Sequence, residues 1–207
     1  MFISKFTIAF DTREQLPYSF RDMRIDRRRA FVLTQRTTLS TGDYSIAGWE
    51  DRICVERKSL EDLYGTLGNG RERFVRELER MQEFDQSLVV IEASWNQIMK
   101  PTDYDPLFYS QMNPASVIGS IVAFAGKYPK TRWKAAGDRR GGEQETFRFL
   151  CQCWKEGNES VPLNDGDSDS NHNKDDKDNH NNDQTNGCKA GDCANDQREQ
   201  AAGVGGT

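Results

Sequence analysis

The chain has 207 residues, of which 33 are Asp or Glu and 28 are Lys or Arg, so its formal net charge is −5. Its length allows one ordinary domain with a core and an appendage, and no apolar run approaches the roughly 20 residues that cross a bilayer. A net negative charge argues against nucleic-acid binding, but the charge is unevenly distributed. Residues 156–207 have a net charge of −8, which leaves residues 1–155 with a net charge of +3.

This division of charge coincides with a change in composition, which predicts a folded domain over 1–155 and a tail over 156–207. The tail is rich in Asn, Asp and Gly and has almost no large apolar residue, so it cannot bury enough surface to offset its ordering entropy and is predicted to be disordered. Its four potential zinc ligands match no compact ligand spacing; they are His172, His180, Cys188 and Cys193. The odd cysteine count and the lack of a signal-peptide pattern predict a reduced, intracellular protein.

The first half of the domain is predicted to consist mainly of strands. Residues Lys5–Asp11 alternate apolar and polar side chains up to a terminal acid, and Phe31–Leu39 is rich in β-branched residues. Two further predicted strands, Asp43–Ala47 and Arg52–Lys58, are separated by a short turn.

The second half alternates helices with strands. A Ser cap opens a predicted helix at 59–67, an amphipathic helix follows over Arg71–Phe84, and a continuous apolar run predicts a buried strand at Ser87–Ser94. The remaining elements are a helix over Asn113–Tyr128, a strand over Thr131–Gly137 and a closing helix over Gly142–Glu156. The predicted fold class is therefore α/β.

Five arginines lie within nine positions between the first two predicted strands. They are Arg21, Arg24, Arg27, Arg28 and Arg29. Such a run is typical of a surface that contacts nucleic-acid phosphates, and it is equally typical of a solvated loop or helix face.

The strand over Arg52–Lys58 contains charged residues where a buried strand should be apolar. Because residues i and i+2 face the same side of a strand, Glu56 and Lys58 share one face and Arg57 lies on the other. Asp43, at the start of the preceding strand, can lie opposite Glu56. Two converging carboxylates repel unless a cation lies between them, and hard oxygen ligands suit Mg²⁺ or Mn²⁺.

These residue types point to metal-assisted hydrolysis. Lys58 would position or polarise an attacking water, while Arg57 would bind a phosphate or hold a neighbouring acid. Both histidines lie in the tail, so residues 1–155 cannot form a Ser/His triad or a His-ligated zinc site. Carboxylate-bound metal is the remaining route. The alternative interpretation of a short Glu-x-Lys pattern is a solvated helix face.

A longer motif resembles the nuclease domain of the XPF family of structure-specific endonucleases. The family pattern of Gly-Asp followed by Glu-Arg-Lys-x3-Asp is matched at 42–43 and at 56–62, and a family Asp-x-Arg-Glu is matched by "DTRE" at 11–14. The segment "SVIGSIVAFAGKYP" at 116–129 resembles a later helix of that family. The resemblance spans roughly residues 5–155.

The resemblance implies a restriction-endonuclease-like core, a mixed central sheet flanked by helices, and Mg²⁺- or Mn²⁺-dependent cleavage of branched DNA such as flaps, forks and junctions. It implies that Asp43 and Glu56 bind metal, together with the Val55 carbonyl, and that Lys58 is the catalytic cation. The remaining residues of the implied catalytic shell are Asp11, Glu14, Arg57 and Asp62. Family members pair through this domain, so an apolar stripe on the helix over Asn113–Tyr128 is either a dimer surface or ordinary core; it comprises Ile118, Ile121 and Val122.

The chain departs from the family beyond Lys155. Many members carry helix-hairpin-helix domains that bind DNA there, whereas this chain has the acidic tail, a combination more like a bacterial or phage version. The leading expectation is a DNA endonuclease of repair or recombination. The alternatives are a non-catalytic DNA-binding or scaffolding subunit, and a Holliday-junction resolvase or restriction-type enzyme on the same fold.

Overall fold

The computed structural model describes residues 2–159, which form seven strands and six helices. The strands are β1 (Phe2–Asp11), β2 (Arg24–Ile25), β3 (Arg28–Thr37), β4 (Tyr44–Ile46), β5 (Ile53–Lys58), β6 (Gln86–Ile91) and β7 (Thr131–Ala135). The helices are α1 (Leu60–Leu67), α2 (Arg71–Met81), α3 (Trp95–Met99), α4 (Pro101–Tyr104), α5 (Pro114–Lys127) and α6 (Arg139–Glu159). The predicted α/β class is correct.

The strands form one mixed sheet in the order β2-β3-β1-β4-β5-β6-β7. Strands β1 and β3 are parallel, as are β5, β6 and β7, whereas the short β4 is antiparallel to both of its neighbours. The carboxyl ends of β1, β3, β5, β6 and β7 therefore lie at one edge of the sheet, together with the start of β4. Acidic residues at these positions are brought together by the topology.

Each face of the sheet has its own apolar core. On one face, Tyr44 and Val55 pack with residues of α6 such as Phe147 and Leu150. On the other face, Cys54 and two residues of β6, Val89 and Ile91, pack with α1, α2 and α5. Alternate residues of β5 therefore point into different cores, which explains why Val55 and Cys54 are both fully buried.

Local capping explains where the main helices begin. The Ser59 side chain accepts the backbone N–H of Asp62 at 3.1 Å, and the Asn113 side chain accepts that of Ala115 at 2.8 Å. Both residues are predicted caps, and each satisfies an otherwise unpaired N–H of a first helical turn.

The structure adds elements that the sequence patterns did not indicate. The arginine-rich segment forms the hairpin β2–β3, whose turn residues Asp26 and Arg27 both have positive φ. Helices α3 and α4 are also additional. Helix α6 continues to Glu159, beyond the predicted end of the domain at Lys155, and the rest of the predicted tail lies outside the described residues. Across 2–159, every helix is either too short or too polar to cross a membrane.

The predicted apolar stripe on α5 does not form a single surface. Ile121 is only 2% exposed and packs in the core with α1 and α2, so of the two alternatives expected for this stripe, Ile121 belongs to the core. Ile118 is half-buried, whereas Val122 is 66% exposed. The three residues differ because successive helical positions rotate by about 100° around the axis.

Candidate active site

Strands β4 and β5 bring two carboxylates to the same point of the sheet edge. Tyr44 lies opposite Val55 in the antiparallel pair, and the next step of this register places Asp43 opposite Glu56. The Asp43 N–H donates to the Val55 carbonyl at 2.7 Å, and the Asp43 Oδ2 accepts the Arg57 N–H at 2.8 Å. The backbone of β5 thus orients the Asp43 side chain.

Gly42 allows the chain to enter β4 at this point. Its φ is +77°, and a Cβ at this position would lie 2.6 Å from the Cys54 sulfur and 2.8 Å from the Val55 oxygen. A side chain would therefore be strained in its backbone and would also collide with β5. The glycine before Asp43 is required for the close approach of the two strands.

Glu56 and Lys58 are a buried ion pair on the face of β5 that points towards α2. Each residue is only 6% exposed, and the Lys58 ammonium donates to the Glu56 carboxylate. The Lys58 nitrogen also lies 5.0 Å from the centre of the Phe74 ring. Burying an ion pair has a large desolvation cost, so this pair is weak evidence for stability and stronger evidence for a function.

Burial disfavours the ionised form of both acids. It raises the pKa of Asp43 to about 6, in spite of the lowering by the Arg57 N–H and by Lys58. Burial also raises the pKa of Glu56, and the negative charge of Asp43 raises it further. Burial alone would lower the pKa of Lys58, but its contacts with Glu56 outweigh this effect and raise it. The site holds two confined carboxylates and one ammonium, and an additional cation would stabilise it.

Arg57 lies on the opposite face of β5, where it holds two acids. Its guanidinium donates to both oxygens of Glu92, at 2.7 and 3.2 Å, and to Glu14 at 3.1 Å. Its charge lies 5.3 Å from the Tyr18 ring, and the Tyr18 hydroxyl donates to Glu92 at 2.8 Å. Arg57 was expected either to bind a phosphate or to hold a neighbouring acid, and in the structure it holds neighbouring acids.

Asp11 supports the site through the backbone. It is 1% exposed, and its carboxylate accepts N–H groups of Arg13, both main-chain and side-chain, and of Leu39 at 2.5–2.8 Å. Its own N–H donates to the Asp43 carbonyl at 2.9 Å. Asp11 thus joins the ends of β1 and β3 to the residue that carries the first carboxylate of the cleft.

Other residues expected in the site lie elsewhere. Asp62 is exposed in the first turn of α1, where its carboxylate accepts the Ser59 hydroxyl at 2.9 Å, because Ser59 caps that helix. The five arginines of 21–29 are exposed on and before the β2–β3 hairpin. This hairpin is at the amino end of β3, about 30 Å from the carboxyl ends of the strands for a ten-residue strand.

The sequence interpretation did not anticipate the contribution of α2. A cleft of about 260 Å³ is lined by Arg13, Ser40, Thr41, Gly42, Asp43, Glu56, Lys58, Arg73, Glu77 and Arg80. The last three residues belong to α2 and follow one another at helical spacing. The polar positions beside the buried Phe74, Leu78 and Met81 were the available signal, but the sequence does not specify which neighbour they face.

The donor set fits a hard divalent cation. Over residues 2–159, no group of three or more His, Cys, Asp or Glu side chains could hold a metal, so a bound ion would need a backbone carbonyl and water besides Asp43 and Glu56. The Val55 carbonyl already accepts the Asp43 N–H. Because carbonyls of a strand point to the same edge at every second residue, the Arg57 carbonyl is directed to the same side.

The chain resembles known proteins in sequence and in fold. A family model described as "ERCC4 domain" matches residues 10–153, more than half of the chain and all the residues that line the cleft. The structure of the chain resembles that of XPF from Aeropyrum pernix, with a TM-score of 0.55 and 20% sequence identity. The match covers 80% of this chain and 69% of the XPF chain. No curated protein matches the sequence. The structural likeness shows that the two chains share their mixed α/β fold.

Proposed function

The chain belongs to the ERCC4 domain family and forms an XPF-type nuclease domain, and we propose that it is a metal-dependent endonuclease that hydrolyses DNA phosphodiester bonds. The observation that carries this proposal is the convergence of Asp43, Glu56 and Lys58 in one polar cleft at the sheet edge. Carboxylates with raised pKa values, beside a buried ammonium in a cleft, are typical of a functional site.

The three groups have distinct proposed roles. Asp43 and Glu56 bind Mg²⁺ or Mn²⁺, with the carbonyl of Val55 or of Arg57 as a further ligand. Such an ion, when bound, makes water a better nucleophile and neutralises charge on the phosphate. The Lys58 ammonium, already beside Glu56, orients the attacking water and stabilises the negative charge that develops as one P–O bond forms and the other breaks.

The remaining predicted residues have positioning roles in this proposal. Asp11 fixes the backbone of Asp43 through its N–H, and Arg57 fixes the end of β5 by holding Glu14 and Glu92. Asp62 is exposed, unlike the buried acids of the cleft, and it stabilises the start of α1 directly after the Glu-Arg-Lys motif.

The proposed substrate is branched DNA, such as a flap, a fork or a four-way junction, in repair or recombination inside the cell. The proposed partner is a second copy of the chain. Within α5, Val122 is 66% exposed and Ile118 is half-buried, so they can contribute to such an interface. A Holliday-junction resolvase is a narrower version of the same proposal, whereas a scaffolding subunit would not use the acids.

The proposal is tested with purified protein and labelled flap, fork, four-way junction and duplex DNA in Mg²⁺, Mn²⁺ or EDTA. We expect metal-dependent cleavage, which Asp43→Asn and Glu56→Gln abolish without loss of DNA binding or of the folded state. Lys58→Ala should slow cleavage by roughly 10²-fold or more. Glu61→Gln, an exposed acid of α1, is the matched control and should cleave normally.

Two results would contradict the proposal. One is cleavage by the Asp43 and Glu56 variants at the wild-type rate, which would locate any activity elsewhere. The other is DNA binding without cleavage by the wild-type chain in either metal, which would favour the scaffolding function.

A further inference from the structure

Helix α2 forms one wall of the cleft with a charged face. Arg73, Glu77 and Arg80 are at positions i, i+4 and i+7, so they share one side of the helix, and all three line the cleft with Asp43 and Glu56. The neighbouring side of α2, about 100° around the helix axis, is buried against the core by Phe74, Leu78 and Met81. The orientation of this charged face is therefore fixed by packing.

The two arginines of this face are available to a ligand. Both are exposed, and neither forms an ion pair with a carboxylate of residues 2–159. Arg80 donates through Nε to the Thr41 hydroxyl at 3.1 Å, which holds its guanidinium at the rim of the cleft. By contrast, Arg13, at the other side of the cleft, is paired with Asp11.

The spacing of the arginines suits two separate phosphates of one strand. Seven residues of helix separate Arg73 and Arg80 by about 10 Å along the helix axis, so their guanidinium groups can reach two different phosphates of one strand. Glu77 lies between the arginines, and its negative charge opposes a single phosphate that bridges them. After the larger effect of burial, Glu77 also contributes to the raised pKa values of Asp43 and Glu56, as expected for a side chain that points into the cleft.

We infer that Arg73 and Arg80 bind backbone phosphates of the DNA strand on either side of the bond that is positioned at Asp43 and Glu56. This inference deepens the proposed function and rests on it for the identity of the ligand. The contacts are independent of base sequence, because phosphate contacts position a protein on DNA without reading bases. The α2 face, beside the acids, is then the main phosphate-binding surface, and the distant β2–β3 hairpin is not.

The test measures DNA affinity of the full chain in EDTA, where no cleavage occurs, as a function of KCl concentration. Each phosphate contact contributes about −0.9 to the slope of log affinity against log salt concentration. We expect the double variant Arg73→Gln/Arg80→Gln to be less steep by about 1.8. Arg73→Lys/Arg80→Lys should retain the slope, because it keeps both charges.

Two control variants make the result specific. Arg76→Gln removes an exposed arginine of the same helix that does not line the cleft, and Arg24→Gln/Arg28→Gln removes two charges of the hairpin. We expect both to retain the wild-type slope. An unchanged slope in the α2 double variant, an equal change in Arg76→Gln, or a larger change in the hairpin variant would overturn the inference.

The inference and the proposed function can fail separately. If the wild-type chain cleaves DNA but the α2 variants bind with unchanged salt dependence, the phosphate contacts are wrong and the nuclease remains. If the α2 variants lose salt dependence but no metal supports cleavage, the contacts remain and the nuclease is wrong. Wild-type binding without any salt dependence would overturn the phosphate contacts directly.

Discussion

At the scale of single residues, the buried charges of β5 oppose stability. A Glu and a Lys that are each 6% exposed have lost most of their hydration, and replacing such a pair by apolar residues is often neutral or stabilising. The same face of β5 carries Cys54, which is fully buried in an apolar core. A strand with this pattern is expected where local stability is exchanged for a reactive site.

Gly42 is predicted to tolerate no side chain. Gly42→Ala combines a positive φ with contacts below 3 Å to Cys54 and Val55, so we expect a loss of unfolding free energy of about 3 kcal/mol or more. Gly48→Ala is the matched control, because Gly48 has a φ of +86° but no heavy atom near the added Cβ; it should lose only about 1–2 kcal/mol. Urea denaturation measures both, and equal losses would show that contact with β5 is unimportant.

Asp11 is predicted to make stability depend on pH. Burial alone would raise its pKa, but hydrogen bonds from Arg13 and Leu39 outweigh burial and lower the pKa below its ordinary value of 3.8. A depressed pKa contributes stability above the unfolded value, and this is lost as the pH falls through the folded value. Asp11→Asn should therefore cost about 2 kcal/mol at pH 7, and the difference from wild type should shrink below pH 3.8. A difference that is constant with pH in urea titrations would contradict this assignment.

At the scale of secondary structure elements, strand alternation was the most informative feature of the sequence. It placed Glu56 and Lys58 on one face and Arg57 on the other, and the hairpin-like spacing to β4 placed Asp43 opposite Glu56, as the register shows. The caps Ser59 and Asn113 also defined helix starts, because capping is a local interaction.

The contribution of α2 could not be read in the same way. Which neighbour the polar face of a helix meets depends on packing between distant segments, so the polar spacing of Arg73 and Arg80 did not indicate that they would line the cleft. The β2–β3 hairpin was missed because the second residue of its turn, Arg27, has a positive φ, where Gly is the usual residue.

Helix α5 provides a test of the core at this scale. Ile121 is 2% exposed among the residues of α1 and α2, whereas its neighbour Val122 is 66% exposed. Ile121→Ala should cost about 3 kcal/mol in unfolding free energy, because it leaves a cavity. Val122→Ala should change this free energy by less than about 0.5 kcal/mol in a dilute monomer, and chemical denaturation that reversed this order would contradict the described packing.

At the scale of the whole molecule, the topology separates two charged regions. The carboxyl ends of the parallel strands carry the acids and the α2 arginines, and the amino end of β3 carries the exposed hairpin arginines. Parallel strands produce this separation because all of their equivalent ends lie on one side of the sheet. The net charge of the whole chain, −5, therefore gives no indication of the two groups of arginines, those of α2 and those of the β2–β3 hairpin.

The acidic C-terminal segment is predicted to weaken DNA binding through its charge alone. Residues 160–207 carry a net charge of −6, so a chain that ends at Glu159 has a net charge of +1 instead of −5. Long-range repulsion from DNA then disappears, and we expect faster association and tighter binding at low salt, an advantage that shrinks as ionic strength shortens the screening length. The control is a full-length chain in which six of the ten acids of 160–207 are replaced by Asn or Gln, which leaves the segment neutral and gives the chain the same net charge of +1; it should match the truncated chain if charge is the cause. Melting temperatures of all three chains should agree, and tighter binding by the truncated chain alone would indicate steric exclusion in place of electrostatics.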